Sequence, residues 1–213
     1  MSEPLLLLDA VRVSPWESPG HEPLSLCIEG PRVLLIGDVE PVLGPLLRRA
    51  VIQEGVFRLQ GQPLPEVSPS SVGLVPLDPS LPLQLAPLEV VTLGARVLGI
   101  PGKSATALAA KLCRVVGLGA WASRPLGSLH VAYRRLTLLA LALVHEPSVL
   151  VLEAPLAGLE PQAADYVAQA ILQVTAGKGA LISSAPPAPE SVEERLASCL
   201  DQRVTLQPPL PLP

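Results

Sequence analysis

The sequence is poor in aromatic side chains, in charges and in long hydrophobic runs. Aromatic residues make up 2% and charged residues 16% of the 213 positions. The longest apolar stretch, residues 136–144, is well short of the roughly 20 residues that a membrane-spanning helix needs. Residues 5–8 follow an acidic Glu3 rather than a basic segment, so we expect no signal peptide. We therefore expect a chain without a membrane span.

Cysteine is also scarce. Cys27, Cys113 and Cys199 are scattered along the chain and odd in number. They form neither a disulfide framework nor a metal-binding pattern. We expect reduced, buried thiols in a reducing cytosol.

Charge and hydropathy narrow the choice of partners. The formal net charge is −4, which predicts no basic face and no nucleic-acid partner. Hydrophobic residues reach 49% and the mean hydropathy is +0.45. This bias has two interpretations, a surface covered by protein partners or a general enrichment in Leu, Ala, Val and Pro. The length fits one domain or two closely packed subdomains.

The hydrophobic pattern predicts strands and helices in alternation. A continuous apolar run at 149–152, rich in β-branched residues, is typical of a strand buried on both faces of a parallel sheet. Further strands are predicted at 5–13, 24–28, 32–36, 72–78, 180–184 and 203–206. Helices are predicted at 88–98, 105–116, 133–144, 161–174 and 190–200.

The most specific pattern lies at residues 126–161, which read LGSLHVAYRRLTLLALALVHEPSVLVLEAPLAGLEP. It resembles the nucleotide-binding subunits of ATP-binding-cassette (ABC) transporters. In that family an LSGGQ signature opens a helix, which leads through a segment like ALxHEPxLLLLDEP to AGLDP. Here LHVAY, ALVHEPSVLVLEAP and AGLEP keep the same order and spacing.

The resemblance implies an α/β, ABC ATPase-like fold: a mostly parallel sheet flanked by helices, with an N-terminal β region and an inserted helical subdomain. We expect residues 1–213 to form one such domain. Residues 1–79 and 145–206 would form the RecA-like core with the β region, 80–144 the helical subdomain, and 207–213 a disordered Pro-rich tail.

The family's phosphate-binding loop, G-x-x-x-x-G-K-[ST], would follow the strand at 32–36. Gly37 takes the place of the first glycine. Val42 replaces the second glycine, and Leu43 replaces the lysine that reaches the phosphates. Gly44 replaces the Ser or Thr whose hydroxyl group holds Mg²⁺. The frame of the motif is present, but its chemistry is lost.

The same loop lacks the physical means to bind an anion. Pro41 and Pro45 remove backbone N–H donors, while Asp38 and Glu40 add negative charge with no cation in the loop to offset it. Residues 46–50 (LLRRA) are expected to continue as the helix that follows the loop. We expect weak or no binding of ATP and Mg²⁺, and hence no cofactor.

The resemblance implies losses elsewhere in the nucleotide site. Leu77 replaces the Gln that contacts Mg²⁺ and the attacking water. Ala154 replaces the Glu that polarises this water, and Ala185 replaces the His that senses the γ-phosphate. Glu153 stands at the Mg²⁺-coordinating Asp position and is the only candidate metal ligand. Trp16 is either the aromatic residue that stacks on adenine or a Trp packed under a Pro-rich loop.

The signature is also altered. Leu129 matches, whereas His130, Val131, Ala132 and Tyr133 replace Ser, Gly, Gly and Gln. In the family these residues cap the partner subunit's γ-phosphate at a helix N-terminus. Val131 and Ala132 add side chains where backbone must approach closely, so we expect this function to be lost, with His130 a surface or interface residue.

The family's D-loop, which lies at the dimer interface, is retained in form. Its counterparts are Ala157, Gly158, Leu159, Glu160 and Pro161. Their persistence predicts a chain that still dimerises.

These losses on a retained framework predict a pseudo-ATPase. The chain would be a non-catalytic subunit of a membrane transport complex at the cytoplasmic face of the inner membrane. It would pair with a permease and with an active ABC ATPase or a second copy of itself. The alternative is a soluble regulatory or scaffold protein that uses the fold to bind proteins. An active ATPase would require a rearranged site.

Overall fold

The computed structural model describes residues 3–14, 23–77, 80–185 and 190–206, so Trp16 and the predicted tail at 207–213 lie outside the described residues. The strands are β1 (Leu6–Ser14), β2 (Leu24–Ile28), β3 (Arg32–Gly37), β4 (Val51–Leu59), β5 (Gln62–Pro63), β6 (Val72–Val75), β7 (Val149–Leu152), β8 (Gly179–Ser183) and β9 (Gln202–Leu206). The helices are α1 (Glu40–Leu46), α2 (Pro87–Val97), α3 (Gly102–Val115), α4 (Val131–Ala142), α5 (Pro161–Thr175) and α6 (Glu190–Ser198).

The strands form two sheets. A five-stranded sheet has the order β6-β7-β8-β3-β9, and all its neighbouring strands are parallel. A four-stranded sheet has the order β2-β1-β4-β5 and is antiparallel. The predicted α/β class, with its parallel sheet and its N-terminal β region, is confirmed.

The interior strand β7 explains how the layers stack. All of its residues are buried, and successive side chains point to opposite faces of the sheet. Val149 and Val151 belong to the core shared with β1 and β4 of the antiparallel sheet. Leu150 and Leu152 belong to the core shared with the helices. An apolar run without alternation therefore arises from burial on both faces.

Strand β4 was not predicted. Most of its side chains are exposed, so it lacks the apolar run that marks the buried strands. Gly55 also interrupts it, with a φ of +87°, and a Cβ at this position would overlap the backbone of Ala10. The register between β1 and β4 shifts at this point, between Asp9 and Arg12. The glycine therefore permits a bulge, which sequence propensity alone does not reveal.

The predicted helix at residues 46–50 is wrong. The helix begins earlier, at Glu40, and ends at Leu46. The N–H groups of Arg49 and Ala50 both donate to the Gly44 carbonyl, at 2.8 and 3.2 Å, and Arg48 has a positive φ of 58°. These contacts reverse the chain, so that the segment after α1 becomes a turn into β4.

The three thiols have different environments. Cys113 is buried, and burial raises its pKa to about 11. Cys27 and Cys199 are exposed, so the prediction of buried thiols is wrong for these two. Cys27 lies on β2, which pairs with β1, and Cys199 follows α6.

We expect a disulfide exchange reagent to label Cys27 and Cys199 in the native protein and Cys113 only after unfolding. Cys113 is shielded, and at neutral pH little of it is the reactive thiolate. Spectrophotometric titration of the released thiol, with and without guanidinium, measures this. Variant Cys113→Ala should remove the slow thiol alone. Equally fast labelling of all three cysteines would contradict the packing of α3.

Candidate functional site

The predicted site positions meet at the carboxyl edge of the parallel sheet. Gly37 ends β3, and Glu153 directly follows β7. Leu77 and Ala185 follow the ends of β6 and β8. This edge is where open α/β sheets bind their ligands. The chemistry available at this edge depends on the groups that these segments present.

The segment at the phosphate-loop position is closed on itself. The N–H groups of Val42 and Leu43 both donate to the Val39 carbonyl, at 3.0 and 2.8 Å. The side chains of Val42 and Leu43 are 0% exposed and face the core. A phosphate loop needs backbone N–H groups directed at the anion, and here these donors are satisfied within α1.

The two glycines of this segment serve packing. Gly37 has a φ of +93°, and a Cβ there would overlap the Leu206 carbonyl. That carbonyl also accepts the N–H of Asp38 at 3.2 Å. A Cβ on Gly44 would lie 2.9 Å from both the Ala50 Cβ and Glu40 Oε1. Both glycines therefore allow close approach of protein atoms.

A cation does reach the site, contrary to the expectation that the charge of Glu40 is not offset. Arg49 Nη2 donates to Glu40 Oε2 at 2.9 Å and to Glu153 Oε1 at 2.7 Å. The other oxygen of Glu153, Oε2, accepts the N–H of Leu77 at 3.0 Å. Arg49 was missed because its segment was assigned to a helix, and no local motif marks it. The candidate metal ligand Glu153 is thus hydrogen-bonded through both oxygens to protein groups.

The site remains rich in negative charge. Burial raises the pKa of Glu40 above its ordinary value, Arg49 opposes this shift, and the carboxylates of Glu153 and Asp38 add to it. A raised pKa shows that Glu40 carries its charge at a cost in this environment. A polyphosphate would bring further negative charge to the same edge, which is unfavourable.

The positions of the catalytic Glu and the switch His lie against one small cavity. Ala154 is 2% exposed, has a positive φ of 41°, and donates its N–H to Ser183 Oγ at 2.9 Å. Ala154 and Ala185 both line a cavity of about 10 Å³, which is just large enough for one water molecule. Neither methyl group can transfer a proton.

The altered signature is the start of α4. His130 is the N-cap residue, and its Nδ1 accepts the N–H of Ala132 at 3.3 Å. Leu129 and Ala132 are buried, whereas Val131 is exposed. His130 therefore satisfies the helix end from within the chain, and it is a surface residue of this chain.

Tyr133 takes part in an aromatic cluster. Its ring stacks on Trp121 with centroids 5.0 Å apart and meets Tyr166 edge-on at 6.1 Å. The guanidinium group of Arg124 lies over the ring of Trp121, 4.6 Å from its centroid. Because Tyr166 belongs to α5 and Tyr133 to α4, this cluster joins the signature helix to the core.

The D-loop segment is mostly packed inside the chain. Ala157 and Leu159 are buried, and Gly158 is exposed with a φ of +68°. Glu160 is the N-cap residue of α5, and Pro161 is its first residue, a position that tolerates the missing N–H. The role of the D-loop segment at a dimer interface stays a prediction.

Sequence relatives support the resemblance on which the predictions rest. No protein-family model matches this chain. It is 31% identical over 164 residues to the Nod factor export ATP-binding protein I of Burkholderia orbicola, covering 70% of this chain and 54% of the relative. It is 29% identical over 136 residues to the human phospholipid-transporting ATPase ABCA7, covering 63% of this chain and 6% of that protein. The chain thus spans about half the length of the bacterial relative.

Solved structures agree on the fold. The dimeric ATP-binding cassette MJ0796, bound to ADP and Pi, matches with a TM-score of 0.70 at 16% identity over 94% of both chains. The cbiO1 protein of Clostridium perfringens, part of the transporter complex cbiONQ, matches with a TM-score of 0.70 at 19% identity over 85% of this chain and 78% of that one.

The fold is that of an ABC ATPase. Together with the sequence relatives, it indicates an ABC transporter nucleotide-binding domain. The fold prediction is confirmed, and the resemblance is confirmed at the level of this class of domain. In the part of the chain that the structure describes, no helix is long and apolar enough to cross a bilayer.

We expect Leu43→Lys, which restores the phosphate-loop lysine, to destabilise the protein by about 3 kcal/mol without producing ATP binding. The reason is that the new ammonium group would enter the core, where an unpaired charge is costly. Urea unfolding followed by circular dichroism gives the free energy of unfolding. Leu47→Lys, at a half-buried position after the same helix, is the matched control and should cost less. A stable Leu43→Lys variant that binds Mg-ATP would show that the segment opens readily.

Proposed function

We propose that this chain is a non-catalytic, ABC-type nucleotide-binding-domain-like subunit of a membrane transport complex. It works at the cytoplasmic face of the inner membrane, where it pairs with a permease and with an active ABC ATPase or a second copy of itself. The observation that carries the proposal is the closure of the phosphate-loop segment on the Val39 carbonyl. A site whose backbone donors are satisfied internally has little to offer a phosphate.

The chemistry of the other positions supports a non-catalytic role. Leu43, Ala154 and Ala185 carry no group that neutralises charge or moves a proton. Glu153, which keeps a carboxylate, is paired with Arg49 and with the backbone of Leu77. Such pairing competes with a metal ion for the same oxygens.

A groove beside the site supports the pairing with a permease. It measures about 650 Å³ and lies between the Leu77 segment and α4. Leu83, Leu77 and Val131 line it and are 46%, 39% and 39% exposed. The half-buried Arg134 and Arg135 also line it and bring positive charge to it. An amphipathic helix of a partner with apolar and acidic side chains fits such a groove.

The relatives support a role in transport. The bacterial relative carries the name of an export ATP-binding protein, and the cbiO1 protein is described as part of a transporter complex. A homodimer of this chain would have two non-catalytic sites. A heterodimer would leave an active partner's phosphate loop facing the altered signature of this chain.

We expect the purified chain to release no phosphate from Mg-ATP above the rate of the buffer, because the water-polarising and phosphate-binding groups are missing. A malachite green assay measures the release. The control is an intact ABC ATPase assayed under the same conditions. Turnover that disappears in Glu153→Gln would place an active site here and refute the non-catalytic assignment.

We expect Leu83→Asp to release the protein from the membrane fraction of its source cells, because it places a carboxylate in the apolar lining of this groove, which we call the docking groove. The affinity should fall about tenfold or more, as for a central interface residue. Quantitative immunoblotting of membrane and soluble fractions measures the change. Val97→Asp is the matched control, since Val97 is 86% exposed and does not line this groove. A wild-type protein found only as a soluble homodimer would contradict the transport role and favour a scaffold protein.

A further inference from the structure

Three separate segments meet at Glu153. Arg49, from the turn before β4, donates to Glu153 Oε1 at 2.7 Å, and the same nitrogen donates to Glu40 of α1 at 2.9 Å. Leu77, beyond β6, donates its N–H to Glu153 Oε2 at 3.0 Å. The side chains of Glu40 and Glu153 are 17% and 15% exposed, and that of Arg49 is 43% exposed. The guanidinium group thus connects the phosphate-loop segment to Glu153 at the end of β7, and Glu153 in turn binds Leu77 beyond the end of β6.

The guanidinium group keeps two like charges compatible. Without Arg49, the carboxylates of Glu40 and Glu153 would face each other in a partly desolvated setting, where repulsion is stronger than in water. Glu153 would then turn toward solvent, and its hydrogen bond to the N–H of Leu77 would be lost. Arg49 therefore controls whether Leu77 stays bonded.

Both walls of the docking groove depend on residues 153–155. On one side, Leu77 lines the groove and is held by Glu153. On the other side, Arg135 lines the groove and donates to the Pro155 carbonyl at 2.7 Å. Burial lowers the pKa of Arg135, and its ionised form is satisfied by this carbonyl. The turn after β7 thus sets the distance between the two walls.

We propose that Arg49 is a positioning residue that fixes the docking groove through Glu153 and Leu77, without any nucleotide. This rests on the proposed function, because the groove is the surface offered to the membrane partner. The guanidinium group of Arg49 holds the strand ends together at the place where a nucleotide-bound metal ion would otherwise contact them.

Amide hydrogen exchange of Leu77, followed by NMR in the absence of nucleotide, tests this role. We expect Arg49→Met to raise the Leu77 exchange rate about tenfold, because its acceptor is released. Arg49→Lys keeps the positive charge and should restore the rate to within about threefold of wild type. Arg48→Met is the matched control, since it removes the same charge from the neighbouring exposed position, and it should leave Leu77 unchanged.

Two results would overturn the role of Arg49. One is an unchanged Leu77 rate in a folded Arg49→Met variant, and the other is an equal rise in Arg48→Met. If Arg49→Met does not fold, Arg49→Met with Glu40→Met removes Arg49 together with one of the two repelling carboxylates. Glu153 then faces no like charge at this point, so the Leu77 rate should stay within about threefold of wild type, and a tenfold rise in this double variant would overturn the role of the repulsion. Binding of Mg-ATP to the wild type would instead contradict the proposed function, whatever the exchange rate of Leu77. Failure of the proposed function and failure of the role of Arg49 are therefore distinguishable.

Discussion

The Val39 carbonyl is the acceptor on which the nucleotide site depends. By taking the N–H groups of Val42 and Leu43, it turns a segment with the frame of a phosphate loop into the first turn of α1. The side chains of this turn then enter the core between the two sheets. Once this has happened, restoring single motif residues cannot rebuild the anion site, because the donors and the space are both occupied.

A second constraint follows from the first. An edge of the sheet that carries both Glu40 and Glu153 needs a counter-charge, and Arg49 supplies it from the turn after α1. The same contact secures Leu77, which lines the groove proposed for the membrane partner. The non-catalytic site and the docking surface that we propose are thus linked through one carboxylate.

The sequence predicted those features that depend on local patterns. The apolar run of β7 predicted a buried parallel strand, and the spacing from Leu129 to Pro161 predicted the fold. Strand β4 was missed because it is largely exposed and contains Gly55 in a bulge. Arg49 was missed because its partners, Glu40 and Glu153, come from different elements, and only tertiary structure brings them together. His130 and Tyr133 could be recognised as replacements, but their roles as cap and aromatic contact depend on packing.

Calorimetric titration of the purified chain with Mg-ATP tests the central claim most directly, that the phosphate-loop segment is closed. The account predicts no heat of binding up to millimolar nucleotide, because the N–H groups of Asp38, Val42 and Leu43 are already bonded within the protein and the edge is negatively charged. Saturable binding in the micromolar range, which corresponds to about −8 kcal/mol, would contradict it. It would mean that α1 unwinds to accept phosphate.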